Sequence, residues 1–235
     1  MPSVGPTSAD KLRTLGHALD LRPDLRLLDL ACGKGEMLCS WAAEHQITGT
    51  GVDISTVFVA AARARAAELG VADRVHVVHG DAAGYVADEP VDVAACIGAT
   101  WIGGGTAGTV ELLRRSLRPG GTMLVGECFW RQDPPDQATV EGSFAASRDE
   151  FRSLPDLVRH FDELGCDTVE MVLANQDSWD RYVAAQWLNI RRWLDRNPHD
   201  DLVDELRAEL TREPVRYTRY QREYLGWGVF VLMDR

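Results

Sequence analysis

Four carboxylates, Asp29, Asp53, Asp81 and Glu127, each close a short apolar run, and a small-residue loop, Ala31-Cys32-Gly33-Lys34-Gly35, follows the first of them. A loop that turns from strand into helix offers free backbone N–H groups and the positive end of the helix to a ligand at the carboxyl edge of a parallel sheet. An acid at the end of the next strand can accept both hydroxyls of a ribose, and Asp53 in Thr50-Gly51-Val52-Asp53-Ile54-Ser55 is so placed. The chemistry these residues predict is recognition of a small metabolite. Each acid also has a plainer role as a helix cap, and Ser55 or Thr56 could cap the helix that follows Asp53. Weight comes from their ordered recurrence over roughly one hundred residues rather than from any one of them.

The elements that must position these residues alternate. Leu27 to Leu30 reads as a strand and Glu36 to His45 as a helix; Thr50 to Asp53 is a second strand, and Val57 to Leu69 is an Ala-rich helix stopped at Gly70. Val75 to His79 leads into Gly80-Asp81-Ala82, and Val91 to Ile97 leads into Gly98-Ala99-Thr100-Trp101. Thr106 to Leu117 is a helix ended by Arg118-Pro119-Gly120-Gly121, after which a fifth strand runs to Glu127. Such alternation predicts right-handed βαβ units in a parallel sheet. An opening helix spans Ser8 to Leu19, with Leu12, Leu15 and Leu19 on one face and Ser8 as its cap. The polar stretch 131–153 is longer than an ordinary connector and reads as a lid loop. Ser153-Leu154-Pro155 restarts a helix, Thr168 to Ala174 is a sixth strand, and Gly228 to Met233 is the last.

The spacing of the first loop discriminates between ligands. The dinucleotide fingerprint GxGxxG, read from Gly33, requires a glycine where Leu38 stands. Read from the acid, the loop is Asp29-x-Ala31-x-Gly33-x-Gly35, which resembles motif I of the class I S-adenosylmethionine-dependent methyltransferases, with Ala31 in place of their usual first glycine. That resemblance extends through Asp53-Ile54, Gly80-Asp81-Ala82, the Gly98 turn and the Pro119-Gly120-Gly121 turn. It implies S-adenosylmethionine as cofactor, with Ala31, Gly33 and Gly35 around its methionine half and Asp29 on its ammonium. Asp53 and Ile54 would take the ribose side, Asp81 and Ala82 the adenine, and Gly98 the region facing the transferable methyl. The implied fold is an α/β, Rossmann-like seven-stranded sheet whose last strand is antiparallel, with helices on both faces. One domain, 1–235, would carry the lid loop 131–153 and a helical cap insertion, 178–224.

Composition narrows the partners. With 235 residues the chain can build one sizeable α/β core. A net charge of −11 disfavours a nucleic-acid partner, since phosphate neutralisation needs a positive face, so the expected acceptor is a small molecule. No apolar run approaches a membrane span, and Met1 to Ser8 lacks the pattern of a signal peptide, which makes the cytoplasm the expected location. Five cysteines and six histidines show no metal-ligand spacing, and no metal is expected. The arginine groups at Arg191, Arg192 and Arg196 and at Arg212, Arg216, Arg219 and Arg222 read as solvated helix faces.

Methyl transfer is an in-line displacement, so the protein mainly aligns the reactants and excludes water. Glu127 is the best-placed titratable group, a base or a substrate orienter. Trp101, Trp130, Trp179 and Tyr182 are the substrate-binding candidates, and three of the chain's seven tryptophans fall in the insertion. The predicted function is methyl transfer to a small-molecule acceptor. The alternatives are use of S-adenosylmethionine for other chemistry or regulation and, less favoured because of Leu38, an NAD-type oxidoreductase.

Overall fold

Burial along β1 (Arg26–Leu30) is continuous from Leu27 to Leu30 rather than alternating, as a strand covered on both faces demands. The computed structural model describes residues 9–235. In it β1 lies parallel between β2 (Thr48–Asp53) and β4 (Val91–Ile97), and β3 (Val75–His79) pairs parallel with β2 on the far side. β5 (Leu117–Trp130), β6 (Cys166–Leu173) and β7 (Leu225–Asp234) complete a seven-stranded sheet of order β3-β2-β1-β4-β5-β7-β6. β7 runs antiparallel to β6, as the family resemblance implies. The chain winds outward one way from β1 to β3 and the other way from β4, so a crevice opens at the β1/β4 switch point.

The chain divides into two compact units, residues 9–127 with 158–173 and 228–235, and residues 128–157 with 174–227. In the first, α1 (Ala9–Ala18), α2 (Glu36–His45), α3 (Thr56–Glu68) and α4 (Thr106–Arg114) accompany the sheet. Ser55 caps α3 by accepting from the Phe58 N–H. The predicted cap at Ser8 lies outside the described residues. Trp41 of α2 is fully buried and donates its indole N–H to the Leu12 carbonyl, which locks α1 down. Truncating a side chain of that size in such a place costs about 3–5 kcal/mol. α4 stops at Arg114, three residues before the predicted end, because Leu117 already belongs to β5 and the Pro119-Gly120 turn falls inside that strand. Arg114 then reaches across to the last strand, its Nε 2.8 Å from Asp234.

The second unit holds the predicted insertion. The stretch 131–153 is not an open loop: it contains α5 (Gln137–Gly142), whose cap Asp136 accepts from the Thr139 N–H at 2.8 Å. Arg148 grips both oxygens of Asp133, and the Trp130 indole donates to the Arg148 carbonyl. Charge and turn residues hid a short capped helix there. Ser153 caps α6 (Leu154–Glu163), as expected. The insertion itself is α7 (Gln176–Arg196), capped by Asn175, and α8 (Val203–Arg216). α8 runs on into a π turn, Tyr217–Gln221, and a last turn, Arg222–Tyr224. Asp180 of α7 fastens the two helices, accepting from the Tyr217 hydroxyl at 2.6 Å and from both nitrogens of a forked Arg222 at 3.1 Å.

Candidate active site

The loop after β1 alternates conformations. Ala31, Gly33 and Gly35 have φ of 57°, 55° and 68°, so every second residue is left-handed, and the Cys32 N–H between the first two donates to the Val52 carbonyl at 3.0 Å. Glycine accepts this readily, whereas Ala31 carries strain. At Gly35 a Cβ would meet the Ala62 Cβ at 3.1 Å and the Cys39 Sγ at 3.2 Å, so this position serves the packing of α2 on α3 as much as any ligand. Asp53 holds the loop: its Oδ2 accepts the Gly33 N–H and its Oδ1 the Ser55 N–H, both at 2.8 Å.

Asp29 is 5% exposed and no hydrogen bond reaches its side chain among the described residues. Burial, with the Asp53 charge second, pushes its carboxyl up to about 8. Burial likewise lifts the thiols of Cys39 to about 11 and Cys96 to about 12, which makes them inert packing groups. At the end of β3, Asp81 caps a short turn by accepting the Ala83 N–H at 2.9 Å, with Ala82 buried beside it. Ile54 is 70% exposed and Trp101 73%, two large apolar groups left uncovered at the ends of β2 and β4. Gly98 closes β4 with a left-handed turn, donating its N–H to the Gly126 carbonyl.

Glu127 is held by partners that its own neighbourhood in sequence does not contain. Its Oε2 accepts the Thr100 hydroxyl at 2.6 Å and the Thr106 hydroxyl at 3.2 Å. Two hydroxyl donors on one oxygen fix the direction of the carboxylate and occupy lone pairs that a base would use.

In the cap unit the tryptophans part company. Trp130 is 5% exposed and turned into packing, edge-on to Phe151 at 5.4 Å. Trp179 and Tyr182 stack face to face, 5.9 Å apart and 7° from parallel. Both line a cavity of about 440 Å³ that Trp187, Phe144 and Arg216 also border. Burial, with Cys128 second, raises the Tyr182 hydroxyl above its ordinary range. Reading Arg216 as a solvated helix residue misses its placement. Its guanidinium lies 3.4 Å from the centre of the Phe144 ring, and its Nε and Nη2 are buried without a hydrogen-bond partner. The i, i+4 spacing of Arg212 and Arg216 marks one helix face, and only the fold shows what that face meets.

The donor set fits S-adenosylmethionine. A buried carboxylate that burial holds protonated is relieved by a cation such as an ammonium. Asp53, with each oxygen accepting one N–H, retains lone pairs for hydroxyl donors. The bare faces of Ile54 and Trp101 offer apolar surface to an aromatic base.

A family profile described as a methyltransferase domain matches residues 27–121. The uncharacterized protein YjhP of Escherichia coli (strain K12) is 56% identical over 230 residues, 98% of this chain and 93% of that protein. A crystal structure of an S-adenosylmethionine-dependent methyltransferase from Geobacter sulfurreducens, in complex with S-adenosyl-L-homocysteine, is 60% identical. It superposes with a TM-score of 0.98 over 100% of this chain and 94% of that one. One from Thiobacillus denitrificans, also in complex with S-adenosyl-L-homocysteine, is 56% identical with a TM-score of 0.96, covering 99% and 94%. The NAD-type alternative falls with these likenesses, and Leu38, where its third glycine would stand, is wholly buried. From the alternating loop, the strand-end acids and kinship along nearly its whole length, the chain belongs to the S-adenosylmethionine-dependent methyltransferases.

Proposed function

We propose that the protein transfers the methyl group to a small-molecule acceptor held in the cavity of the cap unit. The observation that carries this reading is the cavity itself: about 440 Å³, bordered by stacked Trp179 and Tyr182 and by Trp187. Its size and aromatic lining are those of a metabolite site rather than of a surface for a macromolecule. The net charge of −11 argues in the same direction, against a nucleic-acid acceptor. A cytoplasmic protein without a membrane partner belongs to the same reading, and no described helix is long and apolar enough to cross a membrane.

S-adenosylmethionine, when bound, supplies an electrophilic methyl group on a sulfonium. In this reading Asp29 takes the ammonium, Ala31, Gly33, Gly35 and the Gly98 turn line the methionine half, Asp53 and Ile54 take the ribose, and Asp81 and Ala82 the adenine. Glu127 acts as an orienting carboxylate, because Thr100 and Thr106 fix its direction. Trp101 offers an exposed ring to a planar or cationic group. Trp130 supports the cap wall through its bond to the Arg148 carbonyl.

The test is transfer from methyl-labelled S-adenosylmethionine into cell extract separated into small-molecule and macromolecular fractions. Label in a small molecule that gains one CH₂ by mass is the expected result. Label only in macromolecules, or none in either fraction, would overturn the reading; the latter would leave a protein that uses the cofactor for other chemistry or regulation.

A further inference from the structure

The cap cavity is bordered by aromatic rings, and residues of its wall hold buried polar atoms without partners. Trp179 and Ser143, which border it, are 8% and 0% exposed, and the Trp179 Nε1 and Ser143 Oγ find no hydrogen-bond partner among the described residues. The Arg216 Nε and Nη2 are in the same condition. Its Nη2 lies 3.3 Å from the Glu213 Oε2, an ion pair without the direction of a hydrogen bond. Indole and guanidinium nitrogens can only donate, so a ligand that satisfies them must bring acceptors.

The charges around the cavity limit what that ligand carries. Glu213 is shared between Arg216 and Arg212, whose Nε is 3.1 Å from it, and Glu209 is a second acid on the wall. Two arginines and two glutamates sum to zero, so the wall carries no excess positive charge to hold a phosphate dianion, and Arg216 is left as the group whose hydrogen bonding a single carboxylate would complete. The stacked pair Trp179 and Tyr182, with Trp187 edge-on to Tyr217 at 5.9 Å, suits a flat ring system.

We propose that the cap cavity takes an aromatic monocarboxylate, its ring among the tryptophans and its carboxylate at the guanidinium of Arg216. This deepens the acceptor reading above and rests on it for the claim that the bound acid is the methylated molecule.

The experiment titrates the full-length protein, saturated with S-adenosylhomocysteine, with 2-naphthoate while following tryptophan fluorescence. 2-Naphthamide serves as a neutral isostere and 2-naphthyl phosphate as a dianion. Saturable binding of naphthoate, at least tenfold tighter than of either comparison compound, is expected. Arg216→Gln should weaken naphthoate tenfold or more and leave naphthamide within twofold. S-adenosylhomocysteine affinity by calorimetry reports that the variant is folded. Equal binding of naphthoate and naphthamide, equal weakening of both by Arg216→Gln, or no saturable naphthoate signal at millimolar concentration would each overturn the ligand class. Inhibition of label transfer by naphthoate is expected if the cavity is the acceptor site; tight naphthoate binding without inhibition would overturn that part alone. Failure of the small-molecule assay with naphthoate binding intact would fall on the proposed function and not on the ligand class.

Discussion

The Asp53 carboxylate accepts the backbone N–H of Gly33, twenty residues earlier in the chain, at 2.8 Å. The end of β2 thus sets the shape of the loop after β1, and the second oxygen fixes the start of α3 through Ser55. One side chain aligns both backbone segments that flank the proposed methionine and ribose sites. Asp53→Asn keeps a single acceptor oxygen, so one of the two N–H groups loses its partner. The variant is expected to lose about 1–3 kcal/mol of stability and at least tenfold in S-adenosylhomocysteine affinity. Unchanged affinity by calorimetry would refute the positioning role.

Asp29 makes cofactor-free stability depend on pH. Its carboxyl is raised to about 8, chiefly by burial, so the folded chain holds the proton more tightly than the unfolded one. The stabilisation is complete below the ordinary carboxylate value of about 4 and is lost as pH rises towards 8. Asn resembles the protonated form and does not titrate. The unfolding free energy of Asp29→Asn should therefore exceed that of the wild type by a margin that widens between about pH 5 and pH 8, on the order of a few kcal/mol at the upper end, and its melting temperature should rise accordingly. Parallel curves would contradict this. Cofactor affinity should move the other way in the wild type, increasing towards pH 8 as the carboxylate becomes available to an ammonium, and stay flat in the variant.

Ala31 is an alanine in left-handed conformation, φ 57°. That conformation costs about 1–2 kcal/mol, against which glycine adds about 0.5–1 kcal/mol of unfolded-state entropy. Ala31→Gly should stabilise the protein by up to about 1 kcal/mol, or roughly 2–4 °C in melting temperature. A lower melting temperature would show that the methyl group makes a compensating contact.

Glu127 separates orientation from proton transfer. With Thr100 and Thr106 donating to Oε2, Glu127→Gln preserves an oxygen for both hydroxyls and should retain turnover within about tenfold, with any effect mainly in KM. Glu127→Ala removes the acceptor and should cost about a hundredfold. A fall of a hundredfold or more in kcat for the Gln variant, with loss of the acid limb of the pH profile, would instead identify a base.

The part of the site built by local chain geometry could be read from residue order. Asp29, Ala31, Gly33 and Gly35 sit at a strand-to-helix junction whose spacing disfavours a dinucleotide loop, and α2 spans the predicted Glu36 to His45. What depends on contacts between distant segments could not. The threonines that direct Glu127 lie 27 and 21 residues before it. α5 hides in a run of Asp, Pro and Gln because, although its cap Asp136 is local, the burial of Thr139, Val140 and Gly142 is supplied by tertiary packing. Arg216 looked solvated because helical spacing shows which residues share a face, not what covers it.

The π turn at Tyr217–Gln221 gives the cap a question of phase. Glu209, Glu213, Tyr217 and Gln221 all border the cavity at intervals of four. In a regular α-helix each such step overshoots a full rotation by about 40°, so a stripe that long would wind away from the opening. The underwound turn takes back part of that rotation and keeps the last members of the series aimed inward. The segment therefore behaves like a gear with one tooth more than its neighbour: deleting a single residue between Thr218 and Tyr220 would restore a regular helix and swing Gln221 off the cavity wall. Its length, not only its side chains, is under constraint.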